Sequence, residues 1–188
     1  MASSKVRIIS NSFILLGNSQ INYLEPNNQL HDLASSLYDL LLPSILMKSP
    51  WRFPMEHRDL QRVDETPAPD WQYVFMLPED PVLLLLYRIY PDSLYAIYGN
   101  RLHSNSEEMS ADFVYQPSDS KFTPSFEALL TYKLTALLAM PITQNATLIK
   151  FWEGKAKEEL MVAQQIESSQ SPSIQINAND PLTLAHYT

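Results

Sequence analysis

The spacing of apolar residues predicts two consecutive helices between residues 122 and 167. In the first, apolar positions recur every three or four residues, as in a core-facing helix: Phe126, Leu129, Leu130, Leu134, Leu137 and Leu138. The second repeats this spacing at Ile149, Trp152, Ala156, Leu160, Ala163 and Ile166. Its other face carries Lys155, Lys157, Glu158 and Glu159. Two amphipathic helices this close in sequence are expected to pack antiparallel.

Residues suited to helix ends flank this pair. Thr123 can cap the first helix, and Pro124 then takes the first helical position, where the missing N–H of proline costs nothing. The turn is expected at residues 140–143, Met-Pro-Ile-Thr, where Pro141 ends the first helix and Thr143 caps the second.

Two further helices are predicted near the start of the chain. Residues 5–16 form a short helix followed by a glycine, although their β-branched residues leave a strand as an open alternative. Residues 28–48 form a strongly apolar helix capped by Asn27 or Asn28. Because Pro43 removes a backbone hydrogen bond and clashes one turn back, a kink or break is expected there.

From residue 50 to about residue 117 the chain is extended and rich in proline and aromatic residues. Runs of β-branched and aromatic residues predict short strands at 71–77, 82–90, 95–98, 101–103 and 112–115. Gly99-Asn100 predicts a two-residue hairpin turn, and the prolines at 78 and 81 predict another turn. Since proline is rare in central strands, we expect a small sheet or sandwich in which many strands are edge strands.

Residues 168–188 differ from the rest of the chain. A serine-rich linker leads to Ile174-Gln175-Ile176, which alternates like a strand, but the segment has too few apolar residues for a core of its own. The sequence therefore predicts an α+β protein, a helical bundle of about four helices with an inserted small antiparallel β region and an extended C-terminal arm. The predicted parts are a bundle at 4–49 and 122–167, a β-rich insertion at 50–121 and the arm at 168–188.

Composition narrows the possible functions. The 188 residues, 45% of them hydrophobic, suffice for one domain with a real core, or for one domain plus an insertion. A net charge of −8 argues against a nucleic-acid binder, which needs lysine and arginine to displace counterions from phosphate. The absence of cysteine excludes disulfides and thiolate metal sites and fits a reducing cytoplasm. No apolar run is long enough to span a membrane, and the start is a poor secretory signal.

Candidate catalytic residues are few. His57 and Asp59 could share one face of a strand, but no nucleophile or metal motif accompanies them, so a solvent-facing polar edge strand is the favoured interpretation. His31, near a helix start, is expected on the surface. Residues 107–108, both glutamate, together with Asp112 are expected to be solvated loop acids rather than a cation site.

Other motifs also favour structural roles. Phosphate loops, nucleophile elbows and paired zinc-binding histidines are missing from the sequence. Gly154, inside a predicted helix, permits close helix packing or is a tolerated defect. One aromatic group could stack bases, but core packing is favoured: Trp51, Phe53, Trp71, Tyr73 and Phe75. We expect no catalytic, cofactor-binding or metal site.

The order of these segments resembles the tail tubular protein A family of short-tailed bacteriophages and, more loosely, the head–tail connector adaptors of other tailed phages. The matching residues run through most of 6–167: Asn11 to Gly17 with Ile21 and Leu24; Tyr38, Leu41 and Leu42; Pro50 to Phe53; Tyr73 with Leu77 to Asp80; Tyr98 to Leu102; Phe113 to Tyr115; Phe122, Phe126, Ala128 and Leu129; and Leu137 to Thr143. Pro43 departs from the pattern, because the second helix of this family runs through.

The resemblance implies a virion structural protein rather than an enzyme. It would form an adaptor ring of about twelve copies between the portal protein and the tail nozzle protein. Genome DNA would pass through the ring during ejection without sequence-specific binding, and an acidic lumen would repel phosphate. The protein would be assembled in the host cytoplasm and would lie in the neck of the virion. Another neck or tail-completion (stopper) protein remains an alternative, and a hydrolase using His57 and Asp59 a remote one.

The arm has no motif in common with the family, so its role is assigned by analogy alone. The residues expected to contact the portal or a neighbouring copy are Pro172, Ile174, Ile176, Leu182, Leu184 and Tyr187.

Overall fold

The chain folds as four helices, with two small antiparallel sheets inserted between the second helix and the third. The structure, a computed structural model, describes residues 4–118 and 121–169. Within them the helices are α1 (Ser4–Leu15), α2 (Gln29–Leu46), α3 (Pro124–Thr143) and α4 (Ala146–Ser169). The strands are β1 (Met55–Asp59), β2 (Gln61–Val63), β3 (Tyr73–Met76), β4 (Leu83–Tyr90), β5 (Tyr95–Tyr98), β6 (Arg101–Ser104) and β7 (Ser110–Tyr115). The predicted α+β class is confirmed, while the arm beyond residue 169 lies outside the described residues.

All four helices contribute to one hydrophobic core. Its fully buried members include Ile9, Phe13, Tyr38, Leu42, Trp51, Phe126, Leu130, Leu134 and Ala156. Four residues of the predicted stripes are not part of it. Ile149 and Trp152 are partly buried, while Leu137 and Ile166 are 45% and 43% exposed. The buried side of α3 turns toward Thr135 and Leu138 in its second half, which leaves Leu137 in solvent.

The turn between α3 and α4 lies later in the chain than predicted. α3 continues through Pro141 to Thr143, so Pro141 does not end the helix as predicted. Gln144 then adopts a left-handed conformation, with φ of 54°. The side chain of Asn145 accepts the N–H of Thr147 at 2.9 Å, so Asn145, rather than Thr143, supplies the cap of α4.

The other helix ends agree with the sequence except at Pro43. Thr123 caps α3 by accepting the N–H of Phe126, and Asn28 caps α2. Gly17, with φ of 85°, follows α1, so the helical interpretation of 5–16 is confirmed. α2 continues through Pro43 to Leu46, so the break that was one of the two expected outcomes does not occur, and the Pro43 carbonyl accepts the N–H of Met47.

The insertion contains two antiparallel sheets around a second, smaller core. Sheet A has the order β1-β7-β4, and sheet B has the order β2-β3-β6-β5. The predicted hairpin at 99–100 is confirmed, since Gly99 has φ of 62° and Tyr98 lies opposite Arg101. The predicted turn around 77–81 leads from β3 in sheet B to β4 in sheet A.

Sheet A packs on the helices through residues on both sides of the insertion. Trp51 is fully buried among the helices, and its indole Nε1–H donates to the carbonyl oxygen of Ile45 at 2.9 Å. The Trp51 and Phe53 rings meet Phe126 of α3 edge to face, with centroids 5.0 and 4.8 Å apart. Val114 of β7 completes the contact, so helices and sheet A share one core.

Truncating Phe126 to alanine should lower the free energy of unfolding by about 3–5 kcal/mol, because it leaves a cavity between α3 and the start of the insertion. Urea denaturation of the full chain measures the loss. Phe151→Ala is the matched control, since Phe151 is 52% exposed on α4 and its loss leaves no cavity. Equal destabilisation by the two variants would contradict this account of the core.

Candidate functional site

The His57 side chain contacts a different carboxylate from the one suggested by the sequence. The His57 Nδ1 atom lies 2.7 Å from Asp112 Oδ1, and the Tyr90 hydroxyl donates to Asp112 Oδ2 at 2.9 Å. Antiparallel pairing sets this contact, because β1 and β7 place His57 directly opposite Asp112. Asp59 faces Ser110 further along the strand.

This cluster links the three strands of sheet A and carries no evident nucleophile. The hydrogen bond to Asp112 raises the pKa of the Tyr90 hydroxyl, so the phenol stays a protonated donor. In the part of the chain that the structure describes, the side chains of His57 and Tyr90 both bond to the Asp112 carboxylate and to no serine or threonine hydroxyl. The arrangement ties neighbouring strands together.

His31 is buried, so its expected surface position is wrong. Its side chain is 7% exposed and lies 5.7 Å from the ring of Phe13, in a stacked geometry. The His31 Nδ1 atom accepts the backbone N–H of Glu25 at 2.9 Å. The imidazole thus holds the loop between α1 and α2, a role that depends on a residue outside its own helix.

The fold also separates the members of two groups considered in the sequence, the acids at 107–108 with Asp112 and the aromatic residues from Trp51 to Phe75. Asp112 belongs to β7 and is therefore separate from the loop acids at 107–108. Trp51 lies in the helical core and Phe75 in the smaller core, and both are too buried to stack on bases. A side chain at Gly154 would meet nothing within 4 Å, so this glycine is tolerated rather than required for close packing. Among the described residues no three potential ligands cluster around a metal position.

The predicted portal-contacting residues Pro172, Ile174, Ile176, Leu182, Leu184 and Tyr187 lie outside the described residues. The structure does show where the arm begins. Glu167, near the end of α4, is 6% exposed and accepts the backbone N–H of Arg52 at 2.7 Å. The Gln164 amide donates to the Ser49 hydroxyl at 3.2 Å, so the end of α4 is joined to the start of the insertion.

α4 carries a second apolar stripe on the side that faces away from the core. Phe151, Val162 and Ile166 are 52%, 47% and 43% exposed. They lie on one face, since they are separated by three turns and then one turn. The ion pair between Lys155 and Glu158, 2.8 Å long, lies on the same face. The outer face of a helix packed against one core usually carries only polar residues. Because this face of α4 also exposes three large apolar side chains, it is a candidate contact surface.

Other apolar surfaces lie on different elements. β5 is an edge strand of sheet B, and Leu94, just before it, is 85% exposed. α1 and α3 border a groove of about 390 Å³. The exposed apolar residues along that groove include Ile14 and Leu15. The α4 stripe and the α1–α3 groove are therefore two different surfaces available for contact.

No known family profile matches this sequence, and no curated protein matches it significantly. In residues 4–118 and 121–169 no helix is both long enough and apolar enough to cross a membrane.

Asp112→Ala should lower the pKa of Tyr90 toward its ordinary value, because the hydrogen bond to the carboxylate is the largest cause of the raised pKa. A raised pKa means that this bond stabilises the fold below the ordinary tyrosine pKa and that its contribution is lost as the pH rises through the raised value. NMR titration of ring-labelled tyrosine measures the shift, and Tyr90→Phe assigns the resonance. His57→Ala keeps the carboxylate and is the control. An unchanged Tyr90 pKa in Asp112→Ala would refute the contact.

Glu167→Ala should destabilise the protein by roughly 1–3 kcal/mol, because the Arg52 N–H loses its acceptor in a partly buried place. Glu167→Gln should cost less, since an amide oxygen can still accept. Glu158→Ala on the same helix removes an exposed ion pair and should cost at most about 1 kcal/mol. Urea denaturation compares the three variants, and equal losses for Glu167→Ala and Glu158→Ala would argue against the link.

Proposed function

We propose that the protein is a head–tail connector adaptor of a bacteriophage virion. It forms a ring between the portal protein and the tail nozzle protein, with the DNA channel through its centre. The observation that carries the proposal is the architecture, a helical bundle interrupted by a β-rich insertion, which is what the resemblance to tail tubular protein A implies. The role is structural rather than catalytic.

The positions of the shared residues support the proposal. Pro50 to Phe53 supplies the aromatic contact that joins the insertion to the helices, and Tyr98 to Leu102 forms the β5–β6 hairpin. Phe126 receives the aromatic residues of the first motif. The motifs thus fall at places where the fold needs particular residues, which is how residues shared among adaptors of one architecture should be distributed.

Two different apolar surfaces support assembly into a ring. In a closed ring each copy presents one surface to the neighbour on its left and another to the neighbour on its right. The α4 stripe and the α1–α3 groove meet this requirement because they lie on different elements. The net charge of −8 is compatible with a channel through which DNA slides without sticking.

Mixing the purified protein with its portal should give one discrete complex whose mass corresponds to a closed ring on the portal. Native mass spectrometry or light scattering measures it. Failure to bind the portal would overturn the proposal and would favour a stopper position elsewhere in the neck.

Val162→Glu should weaken this complex by at least about tenfold in apparent affinity, because it places a charge in the α4 stripe. Lys157→Glu is the control, since Lys157 is exposed on another side of α4 and the variant changes the charge by a larger amount. Equal weakening by Val162→Glu and Lys157→Glu would show that net charge, rather than the stripe, causes the effect. No weakening by Val162→Glu would exclude the stripe as a ring contact. Circular dichroism of both variants checks that they are folded.

A further inference from the structure

β4 is an edge strand whose outer side is open. It lies at the end of sheet A and, with eight residues, is the longest of the described strands. Within residues 4–118 and 121–169 the backbone of β4 pairs with β7, and no backbone hydrogen bond crosses its outer edge. Such an edge is a template for an additional strand.

The surface along this edge is apolar. Val82, Leu85 and Tyr87 are 63%, 39% and 50% exposed. Natural edge strands are usually protected by lysine, proline or short length. β4 contains neither lysine nor proline, and Arg88 is its one charged residue. The pairing of β4 with β7 has two register shifts, and such irregularities make an edge less suitable for pairing with a further strand. They nevertheless leave an eight-residue edge with exposed leucine and tyrosine.

The C-terminal arm begins beside this edge. Tyr87 of β4 and Gln164, Glu167 and Ser168 of α4 line one cavity of about 310 Å³. The bond from the Arg52 N–H to Glu167 holds the end of α4 in place there. The last described turn of α4 therefore lies close to Tyr87.

The arm has the length and the pattern to reach β4. Ile174 lies five residue steps after Ser169, a distance of at most roughly 17 Å when the chain is extended. Two alternating apolar pairs occur in the arm, Ile174 with Ile176 and Leu182 with Leu184, and the first is nearer and β-branched. Pro172 just precedes it, and proline is accepted at the beginning of an edge strand.

The exposed residues also favour one direction of pairing. From Tyr87 toward the start of β4 the edge offers Leu85 and then Val82, whereas in the other direction it offers Arg88 and ends at Pro91. An added strand that starts near Tyr87 and packs on Leu85 and then Val82 therefore runs antiparallel to β4.

We propose that Ile174-Gln175-Ile176 adds to the outer edge of β4 as an antiparallel fourth strand of sheet A, within the same chain. The backbone groups of β4 gain partners, and the two isoleucines cover its exposed leucine and tyrosine. Residues 177–188 are then directed away from a fixed point on the sheet. The inference concerns a contact within one chain and does not depend on the adaptor role.

Cysteine cross-linking tests the pairing directly, because the protein has no cysteine of its own. Two full-length variants combine Leu85→Cys with either Ile174→Cys or Ile176→Cys. Mild oxidation should give a disulfide within one chain in at least one variant, since paired strands bring Cα atoms to about 4.4–6.8 Å. Leu94→Cys with Ile176→Cys is the control, because Leu94 is 85% exposed in the loop before β5, the edge strand of sheet B.

Three results would overturn the proposal. The first is no disulfide in either variant, and the second is equal cross-linking in the control. The third is a covalent dimer through Leu85→Cys alone, which would show that a second copy of the chain covers the edge.

Hydrogen exchange of the full-length protein gives an independent measurement. Gln175→Pro removes an N–H from the proposed strand, so those amides of residues 83–90 that do not bond to β7 should exchange at least about tenfold faster than in the unsubstituted chain. Ala185→Pro in the same arm is the control and should leave these amides unchanged. Equal exchange in the unsubstituted chain and Gln175→Pro would refute the added strand.

Discussion

The aromatic contact between Trp51, Phe53 and Phe126 is the interaction on which the two parts of the protein depend. Edge-to-face pairs contribute about 0.5–1.5 kcal/mol each beyond the area that they bury. Their position matters more, since Trp51 and Phe53 lie where the chain leaves α2 for the insertion, and Phe126 lies at the start of α3 where the chain returns. The contact closes the insertion at its base, so sheet A continues the helical core rather than forming a separate body.

A second connection joins the end of α4 to the same place. Glu167 and Gln164 bind the backbone of Arg52 and the hydroxyl of Ser49, so the last helix is held at the base of the insertion. This connection determines where the arm begins and keeps the outer stripe of α4 in a constant position relative to sheet A. The proposed adaptor role would need such constant geometry, because the surfaces of a ring subunit must meet several partners at once.

The cluster of His57, Asp112 and Tyr90 shows how a polar group in a sheet acquires its role. The sequence places His57 two residues from Asp59, which suggests a pair on one strand. Strand register instead brings Asp112 to His57 from across the sheet, and Tyr90 approaches from β4. The resulting bonds link the three strands, which accounts for these polar residues on a partly exposed surface.

Local features were determined by the sequence alone. The Thr123 cap, the Gly99 turn and most positions of the stripes that face the core depend on residues within about one turn or one hairpin, and these occur as expected. Most of the fold was therefore predictable, whereas the candidate sites were largely not. The burial of His31 and Glu167 and the passage of helices through proline were decided by tertiary structure. The two burials depend on residues outside the same helix, Phe13 and Glu25 for His31 and Arg52 for Glu167, so the pattern of the helix itself does not predict them. The effect of a proline depends on how much one lost backbone bond costs in the packed helix.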